Sequence, residues 1–434
     1  MVSETDELRK RLERMGVRLG LQGLRPRPAE EPPPEPARPP APPRDAIEDW
    51  VSGRMVQTEA GECFLSEARY PHAHLHGDTT LGALLAHAPA LLEDLAGNGR
   101  PWPADFTRFV FLDTETTGGT GTYAFMVGLG TYEDGDFVVR QYFMRDLPDE
   151  RAVLALVRGV LEPRQGLVTF NGRAFDWPLL EARFAMNRQV APAISDCHLD
   201  LLLPARRLWR LRLTSCALSS LEEHVLGLAR SEDDVPGWAI PGLYRDYLTW
   251  GRAEPLRKVF YHNAHDILSL ATLAERLCRS VQEPVATLQH GEDLFSLGRH
   301  YEAQGDVERA VQLYGQCLRC PLPPAARHEV MHRLAQIHRR AGEQEEAVSL
   351  WHALAERADC HACIELAKHY EHRVGDLAQA RRLTLQALSH LQKLRYPDRR
   401  AQREVEHRLE RLSRKLERRS CQRISDTDCT DCTE

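Results

Sequence analysis

Two acidic residues stand two positions apart at the end of an apolar segment, where they could bind metal. Asp113 and Glu115 belong to the segment LDTETTG, which continues the apolar run RFVFLD. Side chains two residues apart in a strand point to the same face, so both carboxylates would face the same way. Such oxygen ligands suit Mg²⁺ or Mn²⁺. A lone D-x-E would be explained more simply as a polar strand end.

Two further acids downstream make a metal site the better explanation. Asp176 lies in TFNGRAFDWPLL, after the turn Asn171-Gly172, and Asp266 lies in VFYHNAHDILSLATL. Asp176 alone could be a helix cap. Asp266 is expected on a helix that packs its apolar residues inward, with His262 four residues earlier on the same face. Four acidic side chains that project from apolar strands and helices need compensating positive charge, which bound cations would supply.

These three segments resemble the motifs of the DEDD (DnaQ-like) exonuclease superfamily. The D-x-E, the F-D after N-G and the H-N-x-x-D span about residues 106–277, and the chain is most similar to the YprB-type group of ribonuclease H-like proteins, in which this domain is joined to tetratricopeptide (TPR) repeats. The resemblance implies a metal-dependent, 3′–5′ exonuclease-like enzyme that hydrolyses nucleic-acid phosphodiesters. It implies that two Mg²⁺ or Mn²⁺ ions are held by Asp113, Glu115, Asp176 and Asp266.

The third motif departs from the superfamily pattern at the residue that assists catalysis. The superfamily has His five residues before the last Asp, or Tyr four before it, whereas this chain has Tyr261 at five and His262 at four. We interpret His262 as the general base, because an imidazole titrates near neutrality. Tyr261 is the alternative. His265, next to Asp266, is expected to be a surface or packing residue.

Several residues between and within the motifs are candidates for substrate contacts. Thr114 and Asn171 lie inside the motifs, and the segment DLLLPARRLWRLRL contains a cluster of arginines. These arginines are predicted to bind backbone phosphates, and Trp209 could stack on a base. An amphipathic helix with solvated arginines and a core tryptophan is equally consistent with the pattern. The candidate phosphate ligands are Arg206, Arg207 and Arg210, and the glycines expected to form a loop near the metals are Gly118, Gly119 and Gly121.

The elements that must position these residues follow an α/β pattern. Strand signals around the turn Asp134-Gly135 and at the two apolar segments alternate with helical spacing, and helices dominate later. Strands first and helices later suit an α/β ribonuclease H-like domain, a mixed sheet with helices, over residues 101–283. Residues 46–100, with a possible hairpin at 55–68, are expected to form an extension packed on this domain.

An all-helical region with a recurring signature follows. Gly305, Gly342 and Gly375 each precede an acidic residue and lie 37 and then 33 residues apart, which brackets the period of TPR hairpins. About three hairpins would form a short solenoid over residues 286–392 that binds a protein partner. We expect it to have its own core after the break at Pro284. Residues 393–434 are expected to form a basic surface helix and a flexible tail.

Composition limits the remaining possibilities. A chain of 434 residues with 42% hydrophobic residues can form more than one core, and a net charge of −7 leaves nucleic-acid binding to local basic patches and bound metal. Without a signal peptide or an apolar run that could span a bilayer, a cytoplasmic protein without membrane contact is expected. Residues 1–45, which are rich in proline, are expected to be disordered. Cys429 and Cys432 form a C-x-x-C that we interpret as a frayed terminus rather than a metal site.

Two other functions stay open on the sequence alone. One is an adaptor whose TPR array binds a protein while the ribonuclease H-like domain only binds nucleic acid. The other is an endonuclease with the same fold. The presence of all four carboxylates favours an active enzyme. A further pattern, His72, His74 and His76 in YPHAHLHG, is interpreted as polar residues on one face of an edge strand rather than as a zinc site.

Overall fold

The computed structural model describes residues 45–97, 102–119, 122–193, 197–231, 233–393, 396 and 398–428, and side chains as far as residue 420. The predictions for the proline-rich segment up to residue 44, for Gly121 and for the pair Cys429 and Cys432 lie outside these residues. Within the described ranges, no helix is long and apolar enough to cross a membrane.

A seven-stranded mixed sheet organises the first part of the chain. Its strands are β1 (Arg54–Thr58), β2 (Gly61–Pro71), β5 (Phe109–Thr116), β6 (Ala124–Glu133), β7 (Asp136–Phe143), β8 (Gly166–Thr169) and β9 (His198–Asp200), and a separate small hairpin contains β3 (Leu75–His76) and β4 (Thr79–Thr80). The order across the sheet is β1-β2-β7-β6-β5-β8-β9. The pairs from β1 to β5 are antiparallel, whereas β5, β8 and β9 run parallel. The carboxyl ends of these three parallel strands therefore meet at one edge of the sheet.

Hydrophobic cores lie on both faces of the sheet, under helices. The helices of this part are α1 (Glu93–Ala96), α2 (Glu150–Leu161), α3 (Asp176–Met186), α4 (Leu202–Trp209), α5 (Leu218–Leu221), α6 (Ile240–Trp250) and α7 (Leu256–Gln282). Along β5, Phe109 and Phe111 belong to one core while Val110 and Leu112 belong to the other, as expected for a central strand that is buried on both faces. The long helix α7 contributes to both cores.

The predicted hairpin near the N-terminus is part of the central sheet. Its strands are β1 and β2, and β2 pairs with β7 along eight residue positions from Phe64 to Pro71. The three alternating histidines do not share a strand face, so that interpretation is wrong. Because β2 ends at Pro71, His72 and His74 lie in the following turn, and His76 is buried with its Nε2 atom 2.9 Å from Oγ of Ser269.

The C-terminal part of the chain forms three helical hairpins, which confirms the predicted helical repeat. The first helix of each hairpin ends at a left-handed glycine, at Gly305, Gly342 and Gly375. Asp306 and Asp376 then cap the second helices by accepting hydrogen bonds from backbone N–H groups. The helices are α8 (Pro284–Thr287), α9 (Gly291–Gln304), α10 (Val307–Arg319), α11 (Pro324–Ala341), α12 (Gln344–Ala355), α13 (Cys360–His369) and α14 (Leu377–Gln392).

The first hairpin shares the core of the α/β domain. A single apolar cluster runs from Phe111 in the sheet through Leu270 of α7 to Leu294 and Tyr314 of the repeats. A buried ion pair adds to this joint, because Nε of Arg212 lies 2.9 Å from the carboxylate of Asp293. The expectation of a separate core for the repeats is therefore wrong for the first hairpin. The sequence pattern shows each helix's apolar face but not which element covers it.

The basic C-terminal segment forms α15 (Arg399–Asp428), which packs against the last hairpin. Val405 and Leu412 are buried there. Lys415 and Arg408 both lie 2.7 Å from the carboxylate of Glu371, and Arg411 lies 2.9 Å from it. One face of this helix therefore covers the end of the solenoid, as terminal elements of repeat proteins do.

Candidate active site

Four carboxylates converge at the edge where β5, β8 and β9 end. β5 presents Asp113 and Glu115 on one face, as the D-x-E spacing predicts, while α3 begins at Asp176 and α7 brings Asp266. The hydroxyl of Thr114 donates a hydrogen bond to Asp176, which ties the first motif to the second. The charges of Glu115, Asp266 and Asp176 all act on Asp113, so the four acids form one cluster.

Burial and mutual repulsion make these groups hold protons strongly in the absence of metal. Burial, with the neighbouring carboxylates, raises the pKa of Asp113 far above its ordinary range and the pKa of Glu115 to about 8. Burial also raises the pKa values of Asp176 and Asp266. Uncompensated buried carboxylates are costly, and divalent cations with oxygen ligands would relieve that cost. The donor set therefore fits Mg²⁺ or Mn²⁺.

This electrostatic arrangement predicts how stability depends on pH. Since the folded protein keeps a proton on Glu115 up to about pH 8 while the unfolded chain releases it near 4.5, the free energy of unfolding should fall as pH rises between these values. The slope is at most about 1.4 kcal/mol per pH unit for each extra proton bound. Below about pH 6.5, His76 and His198 act in the opposite direction, because burial lowers their pKa values to about 3.

The window from about pH 7 to about pH 8 therefore tests the cluster. Urea unfolding in the presence of a chelator should show the decrease, and saturating Mn²⁺ should abolish it because bound carboxylates stay ionised. The variant Glu115→Gln should reduce the slope in the chelator series. The same slope with and without Mn²⁺ would contradict the metal assignment.

A close contact between α7 and β6 positions Asp113. Asn263 donates from Nδ2 to Oδ2 of Asp113 over 2.9 Å, and Gln141 donates to Oδ1 of Asn263 over 3.0 Å, which fixes the orientation of the amide. A Cβ atom at Gly128 would lie 2.1 Å from that Oδ1, so only glycine leaves room for the contact. Sequence reasoning missed Gly128 and Gln141, while Asn263 was visible as the N of H-N-x-x-D.

His262, rather than Tyr261, faces the carboxylates. Its Nε2 atom lies 3.6 Å from Oδ2 of Asp266, and its Nδ1 atom lies 2.7 Å from Oδ1 of Asp234. Tyr261 is 37% exposed and its ring lies beside that of His265. His265 packs against Glu222, with 3.2 Å between Nδ1 and Oε1. The geometry favours His262 as the assisting group, whose role remains a prediction.

Arg230 is a second residue that sequence reasoning missed. Its guanidinium lies 2.7 Å from Asp266, 2.6 Å from Glu222 and 3.1 Å from Asp234. It thus offsets part of the negative charge on the third-motif side. It lies far from Asp266 in the sequence and outside every motif, so no spacing rule could have found it.

Comparison with known proteins agrees with this fold. Residues 110–278 match the family described as RNase_H superfamily, and residues 294–323 match the tetratricopeptide repeat. Residues 110–278 form a ribonuclease H superfamily domain. The chain is also 29% identical over 363 residues to "Uncharacterized protein YprB" of Bacillus subtilis (strain 168), an alignment that covers 79% of this chain and 85% of the relative. The predicted resemblance and fold class are confirmed, and a ribonuclease H domain supports a nuclease-type enzyme that binds nucleic acid.

An open groove of about 800 Å³ leads away from the carboxylates of the ribonuclease H domain. Asn171, Arg206 and Arg210 line it together with Asp113 and Asp266, and their role in substrate binding stays a prediction. Arg207 points away from this groove and donates to the carbonyl oxygen of Asp94 over 2.9 Å. Trp209 is 1% exposed and belongs to the core, so the stacking interpretation is wrong. The helix turns its apolar side, including the tryptophan, into the core that it shares with α9.

Proposed function

We propose that the ribonuclease H domain is a metal-dependent nuclease that hydrolyses phosphodiesters with 3′–5′ exonuclease-like polarity. The observation that carries this proposal is the convergence of four carboxylates, two of them buried and two half-buried, beside an open groove that also contains two arginines. Asp113, Glu115, Asp176 and Asp266 would hold two Mg²⁺ or Mn²⁺ ions. Such ions polarise the phosphate and stabilise the charge that develops on the entering and leaving oxygens.

The chain's own side chains would prepare the reaction by position. Asn263 and Thr114 hold the carboxylates of Asp113 and Asp176 in place through hydrogen bonds. His262 would take a proton from the attacking water at Nε2 in the tautomer whose Nδ1–H donates to Oδ1 of Asp234. Nη1 of Arg230, which lies 3.0 Å from the same Nδ1 atom, donates to the other oxygen of Asp234. Asp234 is thereby a positioning residue.

Arg206 and Arg210 would guide the strand by binding its phosphates. Guanidinium groups match phosphate oxygens, and both arginines line the groove that contains Asp113 and Asp266. Such contacts do not read sequence, so they suit an enzyme that shortens strands of any sequence.

Replacing both arginines should weaken binding and lower its dependence on salt. The double variant Arg206→Ala and Arg210→Ala should reduce the slope of log affinity against log salt by about one for each phosphate that is no longer neutralised. Fluorescence anisotropy with labelled single strands over a salt series measures this. Arg158→Ala, which removes an exposed arginine paired with Glu162, is the matched control. An unchanged slope in the double variant would show that the groove does not carry the strand.

The activity is tested with the full chain, Mg²⁺ or Mn²⁺, and end-labelled single-stranded and duplex DNA and RNA. A 3′–5′ exonuclease shortens a 5′-labelled strand stepwise, and it releases a 3′ label at once. Internal fragments would support the endonuclease alternative instead. Binding without cleavage under every metal and substrate condition would favour the adaptor, with the TPR repeats as its protein-binding part.

A further inference from the structure

A second basic cavity lies where the ribonuclease H domain meets the first repeat. It has a volume of about 490 Å³ and shares two arginines with the active-site groove, so the two cavities adjoin each other. None of its described lining residues is acidic. These are Arg206, Arg207, Arg210 and Leu211 beside α4, and Ser296, Arg299 and His300 of α9.

The cavity has the chemistry of a phosphate site. Four guanidinium groups line one cavity, and together they create a positive potential that attracts anions. Arg207 is anchored by the carbonyl oxygens of Asp94 and Leu95, and Arg299 lies over the ring of Phe295 at 5.6 Å. The imidazole of His300 also lines the cavity, and its buried Nε2 atom has no hydrogen-bond partner among the described residues.

We propose that this cavity binds a backbone phosphate of the nucleic-acid strand beyond the active-site groove, so that the first repeat forms part of the substrate path. The inference rests on the proposed function for the identity of the strand. It goes beyond that function because it gives a helical repeat, which the sequence suggests for protein binding, a direct contact with substrate. Arg299, an exposed residue of α9 that lines the cavity, supplies this contact.

The test compares strands of different length. Arg299→Ala should weaken the binding of long single strands by about three- to tenfold, the usual net contribution of a single hydrogen bond. It should leave strands of a few nucleotides unaffected, because these end within the groove. Arg340→Ala, at an exposed arginine of α11, is the control. Anisotropy with a catalytically inactive Asp113→Asn background measures binding even if cleavage is never detected, so the two proposals fail separately.

Competition separates a strand site from a site for small anions. If the cavity requires a strand, inorganic phosphate at equal ionic strength should displace a long strand only weakly. The extent of this displacement should be the same in the Asp113→Asn background protein and in its Arg299→Ala variant. Equal losses of affinity for short and long strands in Arg299→Ala, or no loss for either, would overturn the proposal.

A separate cluster in the repeats carries a second inference. His328 and His332 lie one turn apart on α11, and each places Nε2 2.7 Å from Oδ2 of Asp359, which caps α13. These three ligand atoms lie within 4.8 Å of one another. The ring of His361 lies 5.2 Å from that of His332. Sequence reasoning missed this group, although His-x-x-x-His on a helix is a usable signal.

The geometry points to a zinc site that joins the second hairpin to the third. Two imidazole nitrogens and a carboxylate oxygen are usual ligands of Zn²⁺, at about 2.0 to 2.2 Å. Asp359 is already oriented, because its Oδ1 atom accepts the backbone N–H of Ala362 over 2.6 Å and leaves Oδ2 toward the histidines. The Nε2 atoms of both imidazoles face the same oxygen, Oδ2 of Asp359. A small outward movement of the two rings would therefore make room for an ion among the three groups.

Zinc binding is measured by competition with a chromophoric chelator. The full chain carries Asp113→Asn and Asp266→Asn in every sample, so that the carboxylate cluster does not obscure the result. His332→Ala and His328→Ala should each weaken binding of one Zn²⁺ equivalent by at least about tenfold. Asp359→Asn should do the same while keeping the helix cap, because Asn also caps helices. His338→Ala, on the same helix, is the control.

Zinc should also raise the melting temperature of the background protein, and this gain should disappear in His332→Ala. Circular dichroism of each variant without zinc shows whether the fold is kept. Equal zinc affinity and stoichiometry in the background protein, His328→Ala and His332→Ala would overturn the inference and leave an ordinary ion-pair cluster.

Discussion

Asp113→Asn should reduce phosphodiester cleavage by at least about 10³-fold, which corresponds to about 4 kcal/mol of transition-state stabilisation. Asp113 lies at the centre of the cluster, where Glu115, Asp266 and Asp176 all act on it. A neutral amide in its place would be a poor ligand for a divalent cation and would remove charge from the whole site. Single-turnover rates over a series of Mn²⁺ concentrations measure this loss.

The same substitution should stabilise the protein when metal is absent. Burial of a carboxylate among three others costs free energy, and the amide removes that cost while Asn263 can still hydrogen-bond to it. Asp136→Asn is the control and should leave the rate unchanged. Asp136 is the first residue of β7 and forms an ion pair with Arg69. Cleavage at the wild-type rate by a folded Asp113→Asn protein would show that the site is elsewhere.

His262→Ala should slow turnover by about 10²- to 10⁴-fold, the usual contribution of a positioned general base. Its imidazole lies between Asp234 and Asp266, so its Nε2 atom is at the edge of the carboxylate cluster. Metal binding should be retained, because the four carboxylates are intact. Rates at saturating Mn²⁺, together with a Mn²⁺ titration followed by protein fluorescence, separate the two effects.

Tyr261→Phe is the matched control for this prediction. Tyr261 precedes His262 and lies 37% exposed, with its ring beside His265, so loss of its hydroxyl should change the rate by less than about twofold. Asp234→Asn should give an intermediate defect, because it leaves the imidazole in place but weakens its orientation. A large defect in Tyr261→Phe, with His262→Ala close to wild type, would reverse the assignment.

Local spacing was enough to predict much of the carboxylate arrangement. Residues two apart in β5 share a face by strand geometry, and residues four apart in α7 share a face by helix geometry. Both rules depend on backbone geometry alone, so Asp113 with Glu115, and His262 with Asp266, are paired as predicted. The helical repeat was predictable for the same reason, because each repeated glycine ends a helix in a backbone conformation that other residues rarely adopt.

Contacts between distant segments could not be predicted in this way. Arg230 contacts Asp266 across 36 residues, and the fit of Asn263 against Gly128 joins positions on different elements. The direction of Trp209 depended on which side of α4 faces the core. Each of these depends on the relative position of packed elements, which periodicity within one element does not contain.

The shared core between α7 and the first repeat affects how any protein bound to the solenoid would meet the active site. A flexible linker would let a tethered partner sample a volume and give it a low effective concentration at the groove. Here the helix that carries Asp266 belongs to the same apolar core as Leu294 and Tyr314, so the first repeat is packed onto the ribonuclease H domain. A protein docked on the first repeat would therefore meet the active site from a restricted set of directions instead of sampling a volume.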